Sequence, residues 1–276
     1  MSVYNDTLGI LKKYNIKADK SLGQNFLISD EVVEKIVEEA DINKEDTVIE
    51  IGPGLGVLTN LLLKKSNDVK VIELDERMVN ILKSRFILSK NLTIIYNDVL
   101  KVDLKELTKN AKGKVKVVAN LPYYISTPII MKLLEANDII DEIIVMVQKE
   151  VADRLTAKTG TRLAGAITYE VEYFSNSEEI IKVTKDCFIP SPKVDSAVIK
   201  LTLKKNIEKN NLDKLFKIIK SAFSQRRKTL ENALLNSGMV ESKEQLEKIY
   251  NELGFEKNVR GEKLTLEDYI NLSKFL

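Results

Sequence analysis

Hydrophobic and polar positions fall into two rhythms along the first two thirds of the chain. Short, nearly all-apolar runs read as buried strands: TVIEIG (47–52), VKVIELD (69–75), LTIIYND (92–98), VKVVANL (115–121) and IIVMVQ (143–148). Between them the period lengthens to that of a helix, in VLTNLLLKK (57–65), ERMVNILKSRF (76–86) and 127–136. Upstream, Val32, Val33, Ile36, Val37 and Ala40 predict a helix over 30–41, with Asp30 as its N-cap. Apolar strands alternating with helices imply an α/β fold with a parallel sheet covered on both faces. Helical patterns run on through 149–156 and 163–175. The strand-like runs IIKVT (180–184) and SAVIKLTL (196–203) are close enough to form an antiparallel pair. After Lys205 the polar stretch NIEKNN reads as a linker, and 212–224, 226–236, 243–253 and 266–274 are all helical in pattern. The expected division is therefore 1–205 and 206–276.

Composition narrows the chemistry. With 276 residues, 44% hydrophobic and 30% charged, the chain suits a soluble protein with one large domain and a small one. It has no apolar run long enough to span a bilayer, and its first residues lack the features of a signal peptide, so a cytoplasmic protein is expected. A single cysteine, Cys187, excludes an internal disulfide. There is no histidine, which removes Cys–His zinc sites, Ser–His–Asp triads and histidine proton shuttles, and no metal is expected. The formal charge is only +2, yet it is uneven. Lys204 to Lys228 holds nine Lys or Arg against two acids, and Lys12 to Lys20 holds four lysines against one aspartate. Such runs are either solvated faces or phosphate-binding surfaces.

The first strand leads into EIGPGLGVLT, where Glu50, Gly52, Gly54 and Gly56 form an acidic-x-Gly-x-Gly-x-Gly loop. Glycines there permit a tight turn and close approach of a ligand to backbone. The third glycine comes one residue earlier than in Gly-x-Gly-x-x-Gly, which favours a cofactor needing room but carrying no pyrophosphate. Glu73, 21 residues after Gly52, ends the second strand and can accept both hydroxyls of a ribose. Asp98, after the third, can accept from an adenine amino group. Each is also a plausible cap or turn former. The fourth strand ends at Asn120, so successive strands carry polar residues where open α/β sheets bind ligands.

VKVVANLPYY (115–124) then gives that edge a reaction. The exocyclic amine of a base is a poor nucleophile because its lone pair is conjugated with the ring. Methyl transfer to it needs acceptors that hold its protons and favour a tetrahedral nitrogen. The Asn120 side-chain oxygen and the Leu121 carbonyl are suited to this, with Pro122 fixing the backbone between them and the aromatic that follows. The face of Tyr123 can stack on the base and offset the charge growing on nitrogen, by roughly 1–2 kcal/mol when desolvated. The proton leaves to water, so no basic side chain is needed. A turn carrying an aromatic plug is the alternative.

KSLGQNFL (20–27), EIGPGLGVLT, IELD, ND, NLPYYIST, QKEVADRL (148–155), FIPSPKVDSAV (188–198) and FSQRRKTLENAL (223–234) together resemble the small-subunit ribosomal RNA adenine N6,N6-dimethyltransferases. The resemblance covers nearly the whole chain. It implies a class I S-adenosylmethionine-dependent methyltransferase, Rossmann-like, with a mostly parallel seven-stranded sheet and a small all-helical C-terminal domain that binds RNA. It implies S-adenosylmethionine contacts at Asn25, Leu27, Gly52, Glu73, Asp98 and Asn120, beside Gly54 of the glycine loop. The catalytic loop would be Asn120 to Tyr123, with Phe188 on the opposite face of the target adenine; core packing before Pro190 is the other reading of Phe188. The implied substrate is two adjacent adenosines in the 3′-terminal hairpin of small-subunit rRNA, within a pre-ribosomal particle. Arg226, Arg227 and Lys228 are the expected RNA contacts, and a monomer is the simplest state. One stretch departs: GTRLAGAI (160–167) keeps Arg162 and Leu163 of the family's run but not its tyrosine and serine. Related macrolide-resistance methyltransferases of large-subunit RNA, and a ribosome-assembly factor that acts mainly by binding, are the competing readings.

Overall fold

The computed structural model describes residues 2–276, the side chain of Lys20 lying outside the described residues together with Met1. In chain order the elements are α1 (Val3–Lys13), β1 (Phe26–Leu27), α2 (Asp30–Glu39), β2 (Thr47–Ile51), α3 (Val57–Lys65), β3 (Asp68–Glu73), α4 (Glu76–Arg85) and β4 (Leu92–Tyr96). Then come α5 (Leu104–Thr108), β5 (Val115–Asn120), α6 (Ser126–Glu135), β6 (Glu142–Gln148), α7 (Lys149–Leu155), α8 (Ala166–Phe174), β7 (Ser175–Val183), β8 (Phe188–Ile189) and β9 (Ser196–Leu203). The helices α9 (Leu212–Ser224), α10 (Leu230–Asn236), α11 (Lys243–Leu253) and α12 (Leu266–Phe275) complete it.

One sheet of seven strands has the order β4-β3-β2-β5-β6-β9-β7. The pairs β3–β4, β2–β3, β2–β5 and β5–β6 are parallel, and β6–β9 is antiparallel. Every residue of β2 is buried, as is all of β5 except Asn120, which is why these strands read as continuous apolar runs. The registers Ile51↔Ile72, Ile51↔Ala119, Glu73↔Tyr96 and Asn120↔Met146 bring the carboxyl ends of β2 to β6 to one edge. From β2 the chain steps outward through β3 and β4, then returns to place β5 on the other side of β2. That reversal opens a crevice beyond the ends of β2 and β5.

The sequence pattern missed α1, α5, β1 and β8. The helix α1 packs Ile10 among Phe26, Leu55, Met78 and Ile81, and the two-residue strands β1 and β8 pair antiparallel, Leu27 opposite Phe188. The cap of α2 also shifts by one. Ser29 is the N-cap, its side chain accepting from Val32 N–H, while Asp30 Oδ1 accepts from Val3 N–H at 2.9 Å.

The chain divides into two compact units: residues up to Ala152 with Asn176–Lys205, and Asp153–Ser175 with Asn206–Leu276. Lys205 closes the first, as the change of pattern suggests, but the segment 153–175 clusters with the later helices instead of the sheet. In the second unit the fully buried Tyr169 of α8 packs against Phe223 of α9 and edge-on against Tyr269 of α12, and donates to the Leu264 carbonyl at 2.7 Å. Among the described residues, no helix is long and apolar enough to cross a membrane.

Candidate active site

An open cleft occupies the crevice at the ends of β2 to β5. It is lined by the glycine loop after β2, by Glu73 and Leu74, by Asn97 and Asp98, by residues 120–125, and by 22–27 of the N-terminal segment. Asn25, Leu27, Gly52, Gly54, Glu73, Asp98, Asn120, Leu121, Pro122 and Tyr123, far apart in sequence, all meet there.

The glycine loop uses left-handed backbone, which glycine adopts without the steric cost a side chain brings. Gly52 has φ +66°, and a Cβ on it would point toward Pro122 and the Asn120 carbonyl. Gly56 has φ +80°, and a Cβ there would sit 2.6 Å from the Phe86 ring. The Glu73 carboxylate accepts from Gly54 N–H at 3.1 Å and from Leu74 and Asp75 N–H, both at 2.8 Å, so it ties the loop to the end of β3. Burial raises its pKa, and those three amides work against the rise. Glu50 lies deeper. Burial pushes its carboxyl up to about 8 despite a 2.6 Å hydrogen bond from Thr59 Oγ1, and the neighbouring Glu73 adds to the rise. Asp98 caps the 3-10 turn Val99–Lys101 by accepting from Leu100 N–H at 2.9 Å while still facing the cleft. Its capping role and its place in the cleft coexist.

The N-terminal segment reaches the cleft through Gln24. Its Oε1 accepts from Asp19 N–H and its Nε2 donates to Asp75 Oδ2 at 2.7 Å. Burial would raise the Asp75 pKa, but hydrogen bonds from Arg77 and Gln24 prevail and lower it. On the far wall, Asn120 Nδ2 donates to the Asn25 carbonyl at 3.2 Å. With that nitrogen engaged, Oδ1 is the Asn120 atom left for an incoming amine. Tyr123 is half-buried, its hydroxyl 2.6 Å from Ser196 Oγ, and burial raises its pKa.

Phe188 is not part of this lining. It is 2% exposed and packs in the core with Val33, Val198 and their neighbours, because its pairing with Leu27 in the β1–β8 ladder turns the ring inward. Arg226, Arg227 and Lys228 belong to the second unit. Arg226 is engaged there: Nη2 donates to the Arg162 carbonyl and to Glu262, and the guanidinium lies over the Phe223 ring. Sequence pattern alone did not single out Gln24 and Ser196. Both lie inside motifs quoted above, but nothing in their spacing announces a hydrogen-bond partner 51 or 73 residues away.

The family described as Ribosomal RNA adenine dimethylase matches residues 15–276. The chain belongs to this family. It is accordingly an S-adenosylmethionine-dependent rRNA adenine dimethyltransferase. Among the dimethylase's relatives, the Ribosomal RNA small subunit methyltransferase A of Alkaliphilus metalliredigens (strain QYMF) is 46% identical over 275 residues, 97% of this chain and 95% of that protein. A dimethyladenosine transferase from Plasmodium falciparum superposes with a TM-score of 0.76 at 28% identity, covering 90% of this chain and 95% of that one. The 23S rRNA methyltransferase ErmE shares the fold, with a TM-score of 0.70 at 23% identity over 91% of this chain and 99% of that one.

The dimethylase's cleft suits its methyl donor. Two glycines leave bare backbone at the strand end, and two buried acidic residues, Glu50 and Glu73, line the cleft, which fits a cationic group better than an anionic one. Among the described residues neither Lys nor Arg lines the cleft.

Proposed function

We infer that this chain methylates the N6 of two adjacent adenosines in the 3′-terminal hairpin of small-subunit rRNA, twice each, late in maturation of a cytoplasmic pre-ribosomal particle. The observation that carries the reading is the strand-end asparagine. Its Nδ2 is held by the Asn25 carbonyl, with Pro122 and Tyr123 beside it in the cleft. The relatives' small-subunit name supports the choice of RNA.

In this reading Glu73 binds the ribose hydroxyls of the cofactor, Asp98 its adenine amino group, and Asn25, Leu27, Gly52 and Gly54 the remaining surface. Bound S-adenosylmethionine supplies an electrophilic methyl group. Asn120 Oδ1 and the Leu121 carbonyl accept the two amine protons of the target and draw its lone pair out of conjugation. Pro122 keeps the carbonyl and the following ring in register. Tyr123 stacks on the base and offsets the positive charge that grows on N6. The proton then leaves to water. Phe188 supports the site from behind, through Leu27 on the adjoining strand.

A stacked adenosine must be turned out to reach such a site, at a cost of a few kcal/mol that a hairpin loop reduces. Selection of the RNA then falls to shape and phosphate contacts. Arg226, Arg227 and Lys228 are the proposed contacts in the RNA-binding 206–276 region, Arg226 being also paired with Glu262 and the Arg162 carbonyl. The protein acts as a monomer.

Incubating it with each purified ribosomal subunit and the cofactor, then locating the product by mass spectrometry of the RNA, tests the reading. Two neighbouring dimethyladenosines near the small-subunit 3′ end are expected. Modification of the large subunit alone would establish the macrolide-resistance type of activity instead. Methylation of neither, with binding to small subunits intact, would establish an assembly factor.

A further inference from the structure

The motifs QKEV and PSPKVDSAV have no role in the transfer chemistry described so far, yet the fold brings them to its edge. Gln148, the last residue of β6, is paired with Ser196, the first of β9, and Lys149 N–H donates to the Asp195 carbonyl at 3.0 Å. The antiparallel β6–β9 ladder therefore holds Ser196 two strands away from the end of β5, where Asn120 is paired with Met146. Tyr123 follows Asn120 by three residues and reaches across the end of β6. Its hydroxyl lies 2.6 Å from Ser196 Oγ, and Ser196 has no exposed surface.

A tyrosine in a loop with only its ring as anchor turns about two side-chain angles. A buried hydroxyl at the far end of the ring removes that freedom, since breaking the contact would leave the fully buried Ser196 hydroxyl without this partner. The ring face then stands at a fixed place beside Asn120 before any base arrives, so the base does not have to order the ring. The Tyr123–Ser196 contact ties the strand-end loop to β9 side chain to side chain.

We propose that Ser196 is a positioning residue for methyl transfer: through the Tyr123 hydroxyl it fixes the aromatic face on which the target adenine stacks. The assignment rests on the reading of Tyr123 given under Proposed function, and the experiment separates the two.

Four variants, Ser196→Ala, Ser196→Thr, Tyr123→Phe and the Ser196→Ala/Tyr123→Phe double, are compared with the unmodified protein on small subunits. Calorimetric binding of S-adenosylmethionine is measured in each. Ser196→Ala is expected to lower kcat by about ten- to a hundredfold with unchanged cofactor affinity. Ser196→Thr, which keeps the hydroxyl, recovers most of it. Tyr123→Phe shows the same loss, and the double variant is no worse than either single. Full kcat in Ser196→Ala or in Tyr123→Phe, or losses that multiply in the double, would overturn the proposal. Tyr123→Phe stands as the deciding variant if Ser196→Ala does not fold.

A second readout needs no activity. With 3-fluorotyrosine incorporated, the ¹⁹F resonance that disappears in Tyr123→Phe reports the ring. It is expected to shift and narrow in Ser196→Ala and to return in Ser196→Thr; an unmoved resonance overturns the proposal. An unmodified protein that methylates no RNA, yet shows that shift, would overturn the proposed function while leaving the Ser196–Tyr123 link in place.

Discussion

Asn120 and Glu50 show how differently two cleft side chains act. On the proposed reading, Asn120→Ala removes an acceptor that matters only once the target nitrogen becomes tetrahedral. Cofactor affinity by calorimetry should stay within about twofold, while kcat falls by about a hundredfold or more, the usual cost of a lost transition-state hydrogen bond. Full turnover in that variant would remove the acceptor role. Glu50 is a buried acid that costs the fold stability when it ionises. Burial lifts its pKa from 4.5 to about 8, so the folded chain retains a proton that the unfolded chain has already released across that interval. Its contribution to stability is whole below pH 4.5 and is lost as pH rises toward about 8, at up to ~1.4 kcal/mol per pH unit. Relative to Glu50→Gln, in which the group cannot ionise, the native protein should lose stability steadily over that interval. Urea midpoints of the two proteins that stay parallel across it would contradict the assignment. A bound cation would favour the charged form of Glu50, so saturating cofactor should flatten the difference.

At the scale of elements, the strands and longer helices were legible because burial on both faces leaves only apolar residues in β2 and β5, and because α3 and α9 begin and end where their periodicity does. Two kinds of element were not. The pair β1–β8 is two residues long on each side and exists because Leu27 and Phe188 are brought together from 161 positions apart, a contact no local pattern encodes. The cap of α2 was misplaced because Ser29 and Asp30 are both good caps, and a bond to Val3 decides which is free to serve. Lys116 is another concealed device. An alternating reading of β5 would turn this lysine outward, yet it is 1% exposed. Its Nζ donates to the Ala40 and Asp41 carbonyls at 2.8 and 2.6 Å and lies 3.4 Å from Glu142 and 3.7 Å from Asp46. It therefore ties the end of α2 to the starts of β5 and β6. Lys116→Met would remove the donor to two carbonyls and the buried cation beside Asp46 and Glu142, leaving Glu142 only the longer pairs with Lys114 and Lys200. The expected loss is about 3–5 kcal/mol in denaturant unfolding, as for a broken buried ion pair. A loss below 1 kcal/mol would mean that water replaces the ammonium.

For the molecule as a whole, the strand-end residues were readable because each follows its strand directly, so topology alone assembles them at the reversal between β2 and β5. The allocation of 153–175 was not readable, since its partners come from residues beyond 205. Tyr169 has its ring between Phe223 and Tyr269 and its hydroxyl on Leu264, and the buried Glu170 pairs with Lys220 at 3.1 Å. A cut at the compositional boundary would therefore divide a core instead of releasing a domain. A chain ending at Lys205 keeps the sheet strands but strips α8 of the apolar side chains that cover it, leaving Ala164, Tyr169 and their neighbours against water. That chain should bind 8-anilinonaphthalene-1-sulfonate strongly, and limited proteolysis should cleave within 153–175 well before the strands, at a rate at least about tenfold above the full chain. Equal protection of 153–175 in the two chains would mean that α8 is held by the sheet unit, and that the boundary at 205 is a true domain boundary.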